Sequence, residues 1–135
     1  MKNLAIGPIG KPLKLPNGTT VPLSPAYAAG DLIFLSGQLA FGADMKIVGG
    51  GIFEQTRQCL NNIESLLFEL GLCKTDIVKS TVWLVAKEDF QGFNNAYTEF
   101  FEDHRPARSC VCSGLLVDGA LIEIEVVATV KDRVF

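Results

Sequence analysis

Arg105-Pro106-Ala107-Arg108-Ser109-Cys110-Val111-Cys112, then Ser113-Gly114-Leu115-Leu116-Val117-Asp118-Gly119-Ala120, then Leu121-Ile122-Glu123-Ile124-Glu125, is the stretch on which the fold turns. Its last part alternates apolar and acidic residues, the period of a half-buried strand. Successive side chains of a strand point to opposite faces, so Ile122, Ile124 and Val126 share one face and Glu123 and Glu125 the other. By the same rule Arg108, Cys110 and Cys112 project together from the preceding strand. A cation at a strand entrance and a carboxylate on the next strand are parts for holding a small zwitterion. Taken alone, the pattern reads better as a surface arginine and two solvated glutamates. If Val117–Ala120 closes a simple hairpin, Gly114 lies opposite Glu123. Arg108 is then six residues away, roughly 20 Å along the strand at ~3.3 Å per residue. On that assumption Arg108 and Glu123 of one chain cannot share one small ligand: either the strands are not adjacent partners or neighbouring chains complete the pocket.

Working back along the chain, Phe90 to Glu102 reads as a helix with an aromatic face of Phe90, Phe93, Tyr97, Phe100 and Phe101. Asp89 is positioned to cap it, and the His104-Arg105-Pro106 run ends it. His104 is expected to face solvent near the helix C-terminus, where a positive charge is favoured. Asn94 is the polar candidate on this helix. Ile77 to Val85, rich in β-branched residues and carrying Trp83, reads as a strand. Ile52 to Leu70 has the helical spacing Phe53, Thr56, Leu60, Ile63, Leu67, Leu70, with Gly71 as its stop. Cys59 beside that stripe is a core residue. Asn62 faces elsewhere, as a contact between chains or as a solvated amide. Leu32 to Leu35 is a short buried strand ending at Ser36-Gly37-Gln38, where Gly37 would let a ligand approach the backbone. Met45 to Val48 suggests another short strand. Gly49-Gly50-Gly51 lacks the lysine-serine/threonine pair of a phosphate loop and reads as a hinge. Lys11–Leu15 and Thr19–Val21 suit a small hairpin around Asn17-Gly18. Lys131–Phe135 reads as a short tail that is mobile or packs on an edge. Strand, helix and strand in this order point to a crossover unit with helices on a sheet.

The 135 residues suit one domain, 1–135, and 48% hydrophobic content is ample for one core. A net charge of −3 gives no global field to draw the chain to nucleic acid or an anionic membrane. No apolar run approaches the ~20 residues of a membrane helix, and Met1-Lys2-Asn3-Leu4 does not open a secretion signal. Cys59, Cys73, Cys110 and Cys112 include no Cys-x-x-Cys pair, and His104 is the one histidine. The expectation is no metal, no other cofactor, and free thiols in a reducing cytoplasm.

Pro106-Ala107-Arg108-Ser109, Ile122-Glu123-Ile124-Glu125 and Gly30-Asp31-Leu32-Ile33-Phe34-Leu35-Ser36-Gly37-Gln38 together resemble the YjgF/RidA superfamily, the reactive intermediate deaminases. Gln55-Thr56 with Asn62-Ile63 is similar to its first helix; Asn94, Tyr97 and Phe100-Phe101 are similar to its second. The likeness runs from about Pro22 to about Val130. It implies an α+β, chorismate-mutase-like fold: a mixed β-sheet with two helices packed on one face. It implies a homotrimer with clefts between subunits, and hydrolytic deamination of 2-enamino or 2-imino acids to 2-oxo acids and ammonia. By resemblance Arg108 binds the substrate carboxylate, Glu123 orients or activates water, and Gly37, Asn94 and Cys110 line the pocket. Two departures bear on substrate choice. Leu23 stands where the family commonly has tyrosine, and Val117 where it has proline. Alternatives of other kinds are a non-catalytic trimer that binds small 2-oxo acids and an endoribonuclease or translation inhibitor. Deamination of an aminomuconate-like ring-cleavage product is a further catalytic variant.

Overall fold

The computed structural model describes residues 4–130; the expected tail at 131–135 lies outside them. Eight main elements follow one another: β1 (Leu4–Ile9), β2 (Ala26–Gly30), β3 (Leu32–Leu35), α1 (Ile52–Glu69), β4 (Ile77–Leu84), α2 (Phe90–Phe101), β5 (Ala107–Cys112) and β6 (Ile122–Thr129). The strands form one mixed sheet in the order β1-β2-β3-β6-β4-β5. β6 runs antiparallel to both β3 and β4, and β5 lies parallel to β4 at the edge. A parallel pair needs a crossover, and α2 supplies it between β4 and β5.

β5 and β6 are not adjacent partners and form no hairpin, because β4 lies between them. The connection over 113–121 is too long for a tight turn and passes over the end of β4 instead. Ser113 donates its N–H to the Leu84 carbonyl (2.9 Å), and the Leu121 carbonyl accepts from the Val85 N–H (3.1 Å). β4 alternates buried residues (Ser80, Val82, Leu84) with half-buried ones (Thr81, Trp83), which suits a strand paired on both sides.

Burial follows the alternation read in β6. Ile122, Ile124, Val126 and Ala128 are buried, and Glu123, Glu125, Val127 and Thr129 are not. The buried set packs with Cys59, Leu60, Ile63 and Leu67 of α1 and Phe93, Tyr97 and Phe101 of α2 in one core. Each fully buried large side chain contributes about 1.5–3 kcal/mol, so this layer dominates stability. The helices therefore cover one face of the sheet. On the other, Tyr27, Phe34 and Val111 remain 45%, 43% and 47% exposed.

Several local expectations are corrected. Met45–Val48 forms no strand, only a Phe41–Ile47 bridge, because Gly42 and Met45 (φ 62°) turn the chain there. Asp89 makes no capping hydrogen bond, since a 3₁₀ turn over Lys87–Asp89 leads straight into α2. His104 is half-buried, its Nε2 2.7 Å from the Ile77 carbonyl. Asn62 is not simply a solvated amide: half-buried, it donates Nδ2 to the carbonyls of Leu39 (3.1 Å) and Phe41 (3.0 Å) of its own chain. Gly71 does stop α1, at φ 75°, and Leu13–Val21 folds back on itself around Asn17-Gly18. β1 escaped the sequence reading because it contains Gly7-Pro8, residues that an edge strand tolerates.

Candidate active site

Arg108 sits on β5, level with Ser80 of β4. It turns toward α2, where Nη1 donates to Asn94 Oδ1 at 2.9 Å. Its guanidinium carbon lies 4.9 Å from the Tyr97 ring centre, 5.0 Å from Phe93 and 5.9 Å from Phe90. Residues 90, 93, 94 and 97 share one helical face because they are three and four apart, so α2 offers three ring faces and one amide together. A planar cation stacks well on such faces. Beneath it the Tyr97 and Ser80 hydroxyls are hydrogen-bonded at 2.6 Å, with Ser80 fully buried. Burial pushes the Tyr97 hydroxyl pKa up, with Ser80 and Arg108 pulling against it. Arg108 is thus held in one pose with most of its N–H groups uncommitted. It opens into a cleft of about 290 Å³ lined by Asn94, Tyr97, Thr98, Phe101, Arg105, Pro106 and Arg108.

Cys110 lies one pleat further along β5, half-buried, and is paired with Val82. Burial pushes its thiol pKa up, Arg108 opposes that, and Cys112 adds to the rise. A protonated thiol is a poor nucleophile.

Glu123 and Gly37 make a second cluster. Glu123 pairs with Trp83 and projects from the face opposite the helices. A Cβ at Gly37 would overlap Glu123 Oε2 and sit 3.1 Å from its Cδ. Gly37 is therefore needed for close approach, and the carboxylate lies against its backbone. Next to it Gln38 and Ile124 exchange two backbone hydrogen bonds of 2.7 and 3.0 Å. Burial first, then the like charge of Glu125, raises the Glu123 carboxyl above its ordinary 4.5. The carboxylate lines a cleft of about 210 Å³ with Trp83, Ser113, Gly114, Leu115 and Leu116.

The two clusters do not converge within one chain. Arg108 is level with Val126 through Ser80, two strands and three residues from Glu123. At ~4.8 Å between strands and ~3.3 Å per residue this is about 14 Å, with the side chains on opposite faces. The separation is shorter than the roughly 20 Å of the assumed hairpin, and its cause is the intervening β4 and the side-chain parity.

α1 holds both loops of the second cluster, a role that its sequence did not reveal. Gln55, 4% exposed, donates Nε2 to the Gly119 carbonyl and accepts from the Leu121 N–H, both at 2.9 Å. Asn62 holds Leu39 and Phe41 and is itself held by Gln58 (2.8 Å). The available signal was a glutamine at a helix position that the apolar spacing buries. The aromatic platform under Arg108 was legible only as core. Among the described residues no group of three or more His, Cys, Asp and Glu could hold a metal ion. No helix there is long and apolar enough to cross a membrane.

The sequence profile of the family described as endoribonuclease L-PSP matches residues 16–130. The 3-aminoacrylate deaminase RutC of Acinetobacter baylyi is 36% identical over 124 residues, covering 89% of this chain and 98% of that protein. A 2-iminobutanoate/2-iminopropanoate deaminase of Capra hircus is 36% identical over 108 residues, 79% of each chain. The crystal structure of yeast Mmf1 superposes with a TM-score of 0.82 at 33% identity, covering 94% of this chain and all of that one. MMF1 of Saccharomyces cerevisiae is described as mitochondrial.

Proposed function

The chain belongs to the endoribonuclease L-PSP (YjgF/RidA) family, and from that premise we propose that it hydrolyses 2-enamino and 2-imino acids to 2-oxo acids and ammonia. The observation that carries this reading is the pose of Arg108. Its guanidinium is fixed by Asn94 and three rings, and no carboxylate of the described residues pairs with it. Such a fork binds a substrate carboxylate through two parallel charge-assisted hydrogen bonds. The enamine tautomerises to the imine. Water then adds to the imine carbon, its proton passes to nitrogen, the C–N bond breaks and ammonia leaves. Imines hydrolyse unaided, so holding substrate and water together supplies much of the acceleration. Glu123 is the group to take the water proton and return it to the departing nitrogen. Its raised pKa brings it closer to the neutral range where a general base works best. Cys110 contributes pocket wall and backbone.

Because Arg108 and Glu123 face away from each other in one chain, the working site joins Arg108, Asn94 and Cys110 of one subunit to Gly37 and Glu123 of a neighbour. The uncovered face with Tyr27, Phe34 and Val111 is the surface such a homotrimer would cover. The net charge of −3 argues against the endoribonuclease alternative. We place the protein in the cytoplasm, with fractionation as the check against a mitochondrial location. The test of function is 2-oxo acid release from imines freshly generated from alanine and 2-aminobutanoate, with and without the protein. Acceleration at catalytic concentration is expected; an unchanged rate would falsify the reading.

A further inference from the structure

The cleft in front of Arg108 is lined by a second arginine. Arg105 and Arg108 both line it, and none of its seven lining residues is acidic. This stands out in a chain with 15 acidic and 12 basic residues. Among the described residues the ion pairs are Arg57–Glu54 and Lys74–Glu102, so neither cleft arginine has a carboxylate partner. Two cations in one concavity repel each other and concentrate field in it, and an anion relieves both effects. Pro106 stiffens the segment between them and keeps Arg105 extended. The two Cα atoms are then separated by up to ~10 Å at ~3.3 Å per residue, and arginine side chains are long enough to serve both ends of one small molecule. Thr98 and Asn94, one turn apart on α2, add a hydroxyl and an amide to the same wall. At about 290 Å³ the cleft is at the small end of ligand sites, which run from ~300 Å³ upward.

We propose that this pocket selects imino acids bearing a second carboxylate, with Arg108 taking the carboxylate next to the imine and Arg105 the distal one. The substrate class is the four- and five-carbon 2-imino dicarboxylates. The reaction that must supply them is two-electron oxidation of an acidic 2-amino acid at its Cα–N bond. Hydrolysis then adds one water, releases one ammonia and leaves a 2-oxo dicarboxylate. The inference rests on the deaminase reading for its chemistry, but its binding content can be tested separately. Arg105 is a specificity residue here: discrimination comes from a charge that one substrate meets and another lacks.

The experiment has two arms. Imines of glutamate and alanine are generated in place by amino-acid oxidases, and kcat/KM is compared for wild type and Arg105→Ala. The wild type is expected to favour the dicarboxylic imine at least 10-fold, and the variant to lose most of that ratio through KM. In the second arm, calorimetry measures the binding of 2-oxoglutarate and 2-oxobutanoate, which needs no turnover. Tighter binding of 2-oxoglutarate by wild type, reduced about 10-fold or more in Arg105→Ala, supports the proposal even if no imine is hydrolysed. Equal affinity for the two acids, or equal losses for both on substitution, overturns it. Circular dichroism confirms that the variant is folded, which an exposed arginine makes the expected result.

Discussion

On the helix side of β6, Ile122, Ile124, Val126 and Ala128 are buried to 1% exposure or less; on its other side Glu123, Glu125, Val127 and Thr129 stay accessible. One strand thus has two kinds of face. The covered one is a close-packed core whose residues are fixed by volume. The uncovered one carries a carboxylate held against Gly37, and apolar residues without cover within the chain. Arg108 breaks the pattern usefully, because it is a charge on the helix side, tolerated at the edge strand where rings and Asn94 replace water. Packing is therefore complete within one chain on one side, whereas the proposed chemistry draws on both sides.

The largest expected effect is on the exception. On the proposed reading Arg108→Ala removes two charge-assisted hydrogen bonds to substrate at roughly 1.5–3 kcal/mol each, about 150- to 25,000-fold in kcat/KM. Arg108→Lys should recover only part, since an ammonium lacks the fork. Steady-state rates of 2-oxo acid release decide it, and a folded Ala variant with wild-type rates would make Arg108 structural.

The contrast between faces is tested directly by neighbours on β6. Ile124→Ala should cost about 2–5 kcal/mol in urea unfolding, whereas Glu125→Ala should stay within roughly ±0.5 kcal/mol. Equal losses would mean that the outer face is as tightly packed as the inner.

A smaller loss is expected on removing the hydroxyl of Tyr97. Tyr97→Phe keeps a ring under Arg108 but leaves the buried Ser80 hydroxyl without its partner. A cost of about 1–3 kcal/mol is expected in thermal unfolding, with kcat/KM changed less than by Arg108→Lys. A rate loss matching Arg108→Ala would instead give the hydroxyl a direct part in the reaction.

The smallest effect on stability concerns Glu123→Gln, whose effects on activity and on stability have opposite signs. The folded-state pKa of Glu123 is raised, so the fold disfavours its ionised form. That cost is present above the folded pKa and is lost as pH falls below the ordinary 4.5. Glu123→Gln should therefore be slightly more stable than wild type at pH 7, with the gap closing in acid, while the rate falls. The acid limb of the wild-type kcat/KM profile should lie above the ordinary glutamate value. Melting curves and rates across pH 4–8 measure both.

The period-two pattern of 122–126 and the helical stripe of 52–70 identified the covered face, because burial there is decided by local spacing. The order of strands was not legible. Placing β4 between β5 and β6 depends on the path of residues 113–121 over the end of β4, and no local pattern encodes that. The site was legible as residue types, and only through resemblance. That Gly37 touches Glu123, or that Arg108 turns toward α2, follows from strand parity across three strands. The tethers made by Gln55 and Asn62 were not legible for a related reason: their partners lie 64 and 66, and 21 and 23, residues away.

The contact between Gly37 and Glu123 also sets how this protein can change by inheritance. The missing Cβ at 37 and the full length of the side chain at 123 occupy the same few ångströms, so neither position drifts freely while the other stands. Gly37→Ala alone displaces the carboxylate; paired with Glu123→Asp, one methylene shorter, it fits. In a library randomised at both positions, survivors should carry glycine with glutamate, or a larger residue at 37 with a shorter one at 123. The overlapping atom is the far end of a flexible side chain, so the cost of Gly37→Ala falls on where the carboxylate sits rather than on the fold.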